Sequence, residues 1–319
     1  MKTIEWGFLI VCYLFLGGLS AGAFFASALA TYLQRNGDKQ LQRIARWGAF
    51  LAPWPVSIGS ALLIFDLGNW YRFYKLFTHF RIASPMSIGA WLLMLFTLVS
   101  LLYLWSWLEP SEREALFAAL PRALQKLRQF DRDLSPWQRT LAALGFPLSI
   151  CVGIYTGVLL GAVQSRPFWN TNLVAQLFLF SALSTGCAAL IIILSINGTC
   201  VSNDEVRFLY SLDVVLMTLE FFVVMPYVIH GELSVEAVKL SLGLILGGPF
   251  TILFWVFFVG FGLLFPLGIE VWEMIPAVPK SGALHYSKSM AIAAAGLVLT
   301  GGFLLRYILV FAGQRSYFP

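Results

Sequence analysis

Charged side chains are scarce in this 319-residue sequence, where Asp, Glu, Lys and Arg together make up only 12% of the residues. Hydrophobic residues make up 59%, and the mean hydropathy is +0.80. A soluble globular domain carries about 25% charged residues, so this composition excludes that class and predicts an integral membrane protein. The net charge of +5 does not indicate a nucleic-acid partner. The cations lie between apolar runs, where Lys and Arg set the orientation of the helices in the membrane.

Residues that bind metals are equally sparse. The three histidines, His79, His230 and His285, fall in predicted loops or at helix ends. A membrane haem is held by histidines on facing helices, so we expect no haem. The four cysteines stand singly in apolar segments, which gives no support for a disulfide framework, an iron–sulfur cluster or a metal site. If this protein handles electrons, we therefore expect the carrier to be a lipid-soluble quinone.

Long apolar runs fill most of the chain. Uncharged or nearly uncharged stretches recur eight times, at 7–33, 47–65, 82–108, 140–165, 167–203, 206–230, 240–269 and 286–314. Each can supply the roughly 20 residues that a helix needs to cross a bilayer. The sequence therefore predicts an all-α integral membrane protein with eight transmembrane helices. The first run resembles a signal peptide, but it is long enough to span the membrane, so we expect it to remain in the protein.

An even number of helices places both termini on one side of the membrane. Of the 21 Lys and Arg residues, 13 lie in or beside the odd-numbered loops. The positive-inside tendency places those loops in the cytoplasm and both termini in the periplasm, as in a multi-pass protein of the bacterial inner membrane. The 13 residues are Arg35, Lys39, Arg43, Arg46, Arg113, Arg122, Lys126, Arg128, Arg132, Arg139, Arg207, Lys280 and Lys288.

A short internal repeat suggests two similar halves. Leu19-Ser-Ala-Gly22 in the first helix matches Leu183-Ser-Thr-Gly186 in the fifth. We therefore predict two four-helix bundles, residues 1–165 and 166–319, related by an axis along the membrane normal. The long connection at 109–136 spaces leucines among nearly balanced charges, and it predicts an amphipathic helix on the cytoplasmic membrane surface.

Ionisable residues inside membrane helices are rare and mark candidate functional sites. Glu220 and Arg306 lie within the apolar runs of the sixth and eighth helices, and Asp213 precedes Glu220 on the same face. Two interpretations stay open. Glu220 and Arg306 could simply pair across the fold, or the three residues could form a proton or cation path through the C-terminal bundle. The second interpretation makes a proton pathway or secondary transporter the alternative function.

A polar and aromatic island at Asp66–Gly89 separates the second and third helices. A quinone site needs an aromatic slot, hydrogen-bonding groups at the carbonyls and a route for protons. With the termini outside, this island, Tyr13, Tyr155 and Arg166 all fall at the outer end of the first bundle. Each tyrosine alone is more typical of a membrane-interface belt, but their convergence favours a quinone site.

Several stretches together resemble the NrfD/PsrC-type family of polysulfide reductase membrane subunits. The stretches are Tyr13–Phe24, Asp66–Gly89, Tyr155–Trp169 and Gly301–Gln314. The resemblance implies an eight-helix anchor without a cofactor of its own, which exchanges electrons between menaquinone or ubiquinone and a ferredoxin-like iron–sulfur partner. That partner in turn serves a molybdopterin or multihaem catalytic subunit.

The resemblance also implies the residues of a quinone site. Tyr13 and Tyr155 match a first-helix polar residue and a fourth-helix tyrosine that contact the quinone, although some relatives carry a histidine at the first position. Trp70, Arg72 and Arg166 are expected beside the quinone and the docked partner.

Proton transfer is expected of two residues in the island. Asp66 and His79 are the groups that we expect to take the two protons of a quinol. The interpretation is a quinol-oxidising subunit of a periplasmic respiratory reductase of the polysulfide, sulfite or nitrite type.

Overall fold

A computed structural model describes residues 6–34, 41–66, 84–119, 133–163, 165–197, 203–275 and 286–316. These residues are almost entirely helical and contain no strand. Eight of their helical segments are long and apolar enough to cross a membrane. The predicted all-α membrane fold with eight transmembrane helices is therefore confirmed.

Three of the eight spans combine two helical segments. The helices are α1 (Phe8–Leu33), α2 (Gln42–Leu51), α3 (Pro53–Asp66), α4 (Pro85–Trp107), α5 (Pro110–Ala119), α6 (Gln138–Gly161), α7 (Asn172–Asn197), α8 (Asn203–Glu232), α9 (Glu236–Leu242), α10 (Phe265–Met274) and α11 (Lys288–Arg315). The second span joins α2 to α3, and the fourth joins a 3₁₀-helix, Ser135–Trp137, to α6. The seventh joins a π-helix, Leu253–Leu264, to α10.

The seventh span differs from its sequence prediction. The apolar run is 240–269, but the span covers Leu253–Met274. The short α9 ends before Gly243, and Gly247 has a φ of 153°, a conformation that favours glycine and interrupts the helix. At the other end the span continues past Glu270, because this carboxyl group is buried inside the protein and does not face lipid.

Each crossing reverses the direction of the polypeptide, so the spans share two sides. We call the side where Phe8 begins α1 and Arg315 ends α11 the terminal side, and the side where α5 lies the connector side. On the terminal side α3 ends at Asp66, α4 begins at Pro85 and α6 ends at Gly161.

The centre of the fold is the crossing of α1 and α7. A Cβ atom on Gly22 would lie 2.9 Å from Gly186 Cα, and one on Gly186 would overlap the Gly22 backbone. Two glycines let helix backbones approach this closely in a membrane. The repeated motifs Leu19–Gly22 and Leu183–Gly186 therefore face each other. Since α1 packs as extensively on α7 as on α3 and α6, the division into two four-helix bundles stays a prediction.

The described part of the 109–136 connector is tied to α2. Residues 110–119 form α5, and Arg46 of α2 donates to Glu109 Oε1 at 2.9 Å and to Glu112 Oε1 at 2.6 Å. These ion pairs hold the start of α5 against the connector side of the fold. Its predicted position on the membrane surface stays a prediction, and residues 120–132 lie outside the described part.

Candidate functional site

Two buried tyrosines meet near the terminal side of the spans. Tyr13 lies in the second turn of α1 and is 1% exposed, and Tyr155 lies toward the end of α6 and is 6% exposed. Their phenol groups are side by side, yet Tyr13 Oη makes no hydrogen bond of good geometry within the described part of the sequence. A buried hydroxyl without a partner is costly, so Tyr13 can serve a ligand as a hydrogen-bonding group.

Glycines on two neighbouring helices make room for these rings. A Cβ atom on Gly89 of α4 would overlap the Tyr155 ring, and one on Gly59 of α3 would lie 3.6 Å from Tyr13 Cδ2. Four helices, α1, α3, α4 and α6, thus meet around the tyrosine pair. Gly89 ends the island that the sequence singled out, and its missing side chain is the reason that Tyr155 fits there.

The remaining residues of the expected quinone site are only partly visible. Asp66 is the last residue of α3, so its backbone lies on the terminal side, as do the two tyrosines. Trp70, Arg72 and His79 lie outside the described residues. Their roles, and the role of Asp66 in proton transfer, stay predictions.

Arg166 lies in a cluster of contacts that closes the terminal side. Its Nη1 donates to the Gln314 carbonyl oxygen, and the Gln314 side chain exchanges two hydrogen bonds with the Trp6 backbone, at 2.9 and 3.0 Å. The rings of Trp6 and Trp169 lie 5.1 Å apart, and Gly313 leaves space for the Trp169 indole. We call these five residues the terminal clasp. It ties together the start of α1, the α6–α7 connection and the end of α11.

A second group of polar side chains is buried among the later helices. Asp213 and Arg306 are 0% exposed, and Glu220 is 3% exposed. Arg306 Nη1 donates to Ser181 Oγ at 3.0 Å and to the Gly302 carbonyl. Glu220 lies beside Ser181 and interacts electrostatically with Arg306, so these three side chains form a polar row across α7, α8 and α11.

Arg306 also contacts the first helix. Its guanidinium carbon lies 5.8 Å from the Phe15 ring and 5.4 Å from the Phe178 ring, both within cation–π range. A Cβ atom on Gly18 would lie 2.8 Å from Arg306 Nη2. Because Phe15 follows Tyr13 by two positions on α1, Arg306 connects the buried polar row to the helix that carries Tyr13.

The structure adds two acidic residues that the sequence prediction did not assign to a site. Glu270 and Glu273 of α10 are 0% and 1% exposed. Glu273 Oε2 accepts a hydrogen bond from Tyr210 Oη at 2.6 Å, and Glu270 adjoins Asp213. Their spacing of three residues, which puts both on one helical face, was the available signal.

A cavity of about 630 Å³ opens on the terminal side, on the face of α6 that packs against α7. Its lining includes Gly157, Asn170, Asn172 and His230. Neither tyrosine of the pair lines it. It is therefore a separate feature, and His230 is exposed at its rim.

The described residues hold no group of three or more His, Cys, Asp or Glu arranged to bind a metal ion. Among the same residues, the thiols of Cys12, Cys151 and Cys187 are free.

The fold and these sites define a polytopic α-helical membrane protein with a tyrosine pair near one surface and a buried row of ionisable groups. The sequence profile described as "Polysulphide reductase, NrfD" matches residues 1–317. The chain belongs to this NrfD family, which confirms the resemblance seen in the motifs.

Individual relatives match nearly the whole length of this chain. Protein NrfD of Escherichia coli is 30% identical over 324 residues, which cover 99% of this chain and 96% of the relative. A component of the polysulfide reductase of Wolinella succinogenes is 31% identical over 318 residues, which cover 98% and 95%. A selenate reductase subunit from Mesobacillus selenatarsenatis is 26% identical over 335 residues, which cover 96% and 73%.

Proposed function

We propose that this chain is the quinone-interacting subunit of a respiratory reductase in the bacterial inner membrane. It oxidises menaquinol or ubiquinol near the periplasmic surface and passes the electrons to an iron–sulfur partner. The single observation that carries this proposal is the buried Tyr13–Tyr155 pair, in which Tyr13 Oη lies beside Tyr155 but makes no hydrogen bond of good geometry among the described residues. Two relatives are named as parts of polysulfide and selenate reductases, which supports the wider setting.

The tyrosine pair suits a quinol in three respects. The phenols can hydrogen-bond the quinol oxygens, because each hydroxyl both donates and accepts. The pair is enclosed by packed helices, because Gly59 of α3 and Gly89 of α4 lie directly against the two rings, and sites for ring-shaped ligands are enclosed and mostly apolar. The site lies close to one membrane surface, where protons can leave and a soluble partner can dock. A bound quinol supplies the two electrons and two protons of the reaction.

Residues of this protein would direct the protons and the partner. Asp66, at the end of α3, and His79 are the proposed acceptors of the quinol protons. Trp70, Arg72 and Arg166 are the proposed contacts of the quinol and the iron–sulfur partner, which delivers electrons to a molybdopterin or multihaem catalytic subunit. The same arrangement would serve quinone reduction if electrons entered from the partner.

The test is quinol-driven turnover of the assembled complex with Tyr13→Phe and Tyr155→Phe. Each change removes one hydroxyl and keeps the ring, so we expect a loss of about ten-fold in kcat/KM, corresponding to about 1.4 kcal/mol. Tyr307→Phe, a partly buried tyrosine of α11, is the matched control and should leave kcat/KM unchanged. Unchanged kcat/KM in both tyrosine-pair variants would remove the pair from the site.

A second candidate function is a proton pathway or secondary transport through the later helices. The observation that favours it is the burial of Asp213, Glu220 and Arg306 together in the membrane, where ionisable groups usually mark transport routes. Sealed vesicles distinguish the two functions. A transporter would move its substrate without partner subunits, whereas proton release per quinol in the assembled complex shows whether the path is coupled to quinol oxidation.

A further inference from the structure

We propose that Asp213 of α8 and Glu270 of α10 form a proton-binding site that holds one proton between their two carboxyl groups inside the membrane. This inference goes beyond the proposed oxidation of quinol and does not depend on it. Glu270 has no part in the tyrosine site or in the path of Asp213, Glu220 and Arg306 that the sequence suggested.

Burial and missing partners define the site. Both side chains are 0% exposed, and none of their four carboxyl oxygens makes a hydrogen bond of good geometry within the described part of the protein. The two carboxyl groups are nevertheless neighbours. Buried polar groups almost always have hydrogen-bond partners, so four orphaned oxygens at one point need an explanation.

One proton gives both groups a partner. Two adjacent carboxylates repel each other and are poorly solvated in a low-dielectric interior. A single proton on either residue removes one negative charge and allows an O–H···O⁻ hydrogen bond to the other residue, which is stronger than a neutral one. A metal ion would need further ligands, and no group of three ligands exists among the described residues.

The unpartnered hydroxyl of Ser184 is a second indication of a ligand site at the carboxyl pair. This serine of α7 is 1% exposed, its hydroxyl lies beside the Asp213 carboxyl, and its Oγ has no hydrogen-bond partner of good geometry among the described residues. The neighbouring Thr185 donates instead to the carbonyl of Ala182 in its own helix, at 2.9 Å. Ser184 is thus free to donate to the charged oxygen of the pair.

Other ionisable groups surround the site on every helix that packs against it. Cys187 of α7, Tyr210 and Glu220 of α8, and Glu273 of α10 interact directly with Asp213 or Glu270. One residue further out, Tyr286 lies near Tyr210, and Arg306 of α11 lies near Glu220. Glu273 lies one turn from Glu270 toward the connector side, where it accepts hydrogen bonds from Tyr210 Oη at 2.6 Å and from Ser287 N at 3.1 Å. Protons would therefore enter the pair from the connector side through Tyr210 and Glu273.

Infrared spectroscopy of the purified full-length protein tests the proposal without any quinol. A protonated carboxyl group gives a carbonyl band that shifts in D₂O, and difference spectra between wild type and variant isolate the contribution of the changed residue. If the pair shares one proton, Glu270→Gln and Asp213→Asn should each remove the whole carbonyl band. In either variant the one carboxyl group that remains is ionised, because it lies beside an amide that donates a hydrogen bond to it. Exposed Glu236→Gln is the control and should leave the band intact.

Each alternative outcome overturns the proposal in a recognisable way. If each variant removes only half of the band area lost in the double variant, two protons are bound independently. If neither variant changes the band, the pair is ionised. If Na⁺ but not choline removes the wild-type band, the ligand is a monovalent cation. Should a carboxyl variant fail to fold, Ser184→Ala supplies the test. Under the proposal the Ser184 hydroxyl donates to the charged pair, so its removal must shift the band in a protein that keeps both carboxyl groups, and an unshifted band would overturn the proposal.

Discussion

A Cβ atom added to Gly89 of α4 would overlap the phenol ring of Tyr155 on α6. The Tyr155 ring therefore occupies the space that a side chain at position 89 would need. This contact joins the island before α4 to the helix that carries the second tyrosine, and it gives the first prediction.

Gly89→Ala should displace Tyr155 and impair the proposed quinol site. Overpacking of this kind costs about 1–3 kcal/mol, so we expect kcat/KM for quinol to fall at least as far as it does in Tyr155→Phe. The control is Gly296→Ala in α11, because a Cβ atom there meets nothing within 4 Å. Equal kcat/KM for Gly89→Ala and Gly296→Ala would show that the position of Tyr155 does not matter.

The crossing of α1 and α7 gives the second prediction. A Cβ atom on Gly22 would lie 2.9 Å from both Gly186 Cα and the Leu183 carbonyl oxygen, and these are backbone atoms that cannot rotate away. Gly22→Ala should therefore lower the free energy of unfolding by about 1–3 kcal/mol. Thermal unfolding in detergent measures this loss, and Gly268→Ala, which meets no neighbour, should show none.

The terminal clasp gives the third prediction. Gln314→Leu keeps the side-chain size but removes both hydrogen bonds to the Trp6 backbone. Each net hydrogen bond contributes about 0.5–1.5 kcal/mol, so we expect a loss of about 1–3 kcal/mol in the free energy of unfolding. Gln176→Leu, at an exposed position of α7, is the control. An unfolding transition of Gln314→Leu that matches the wild type would mean that the clasp does not stabilise the fold.

Arg306 and Glu220 give the fourth prediction through a double-mutant cycle. Arg306→Gln leaves a buried acid without its neighbouring cation, and removing one partner of a buried pair costs about 3–5 kcal/mol. Adding Glu220→Gln to that variant should recover part of the loss, because no uncompensated charge remains. The free energies of unfolding of the four proteins measure the coupling. Additive effects would show that the two residues are energetically independent.

Hydropathy was enough to predict the general fold. Eight runs of apolar residues predicted eight spans, and the alternation of sides placed Tyr13 and Tyr155 at one end. Their side-by-side position depends on Gly59 and Gly89, and local sequence carries no measure of such packing between helices.

Contacts between distant helices could not be predicted from the sequence. Glu270 directly follows the predicted run 240–269, and the sequence alone gives it no role, whereas the span extends to Met274 and buries Glu270 beside Asp213. The motifs at Leu19–Gly22 and Leu183–Gly186 were seen as an internal repeat. Only the structure shows that they contact each other, because pairing across 164 positions depends on the packing of the whole bundle.

Equilibrium binding of a fluorescent quinol analogue to the assembled complex tests the tyrosine site most directly. With the double change Tyr13→Phe and Tyr155→Phe, we predict a dissociation constant raised roughly ten-fold to a hundred-fold, about 1.4 to 2.7 kcal/mol for two lost hydrogen bonds. Tyr307→Phe should bind as the wild type does. An unchanged dissociation constant in the double variant, together with weaker binding on changing His230 at the rim of the separate cavity, would contradict quinol binding at the tyrosine pair.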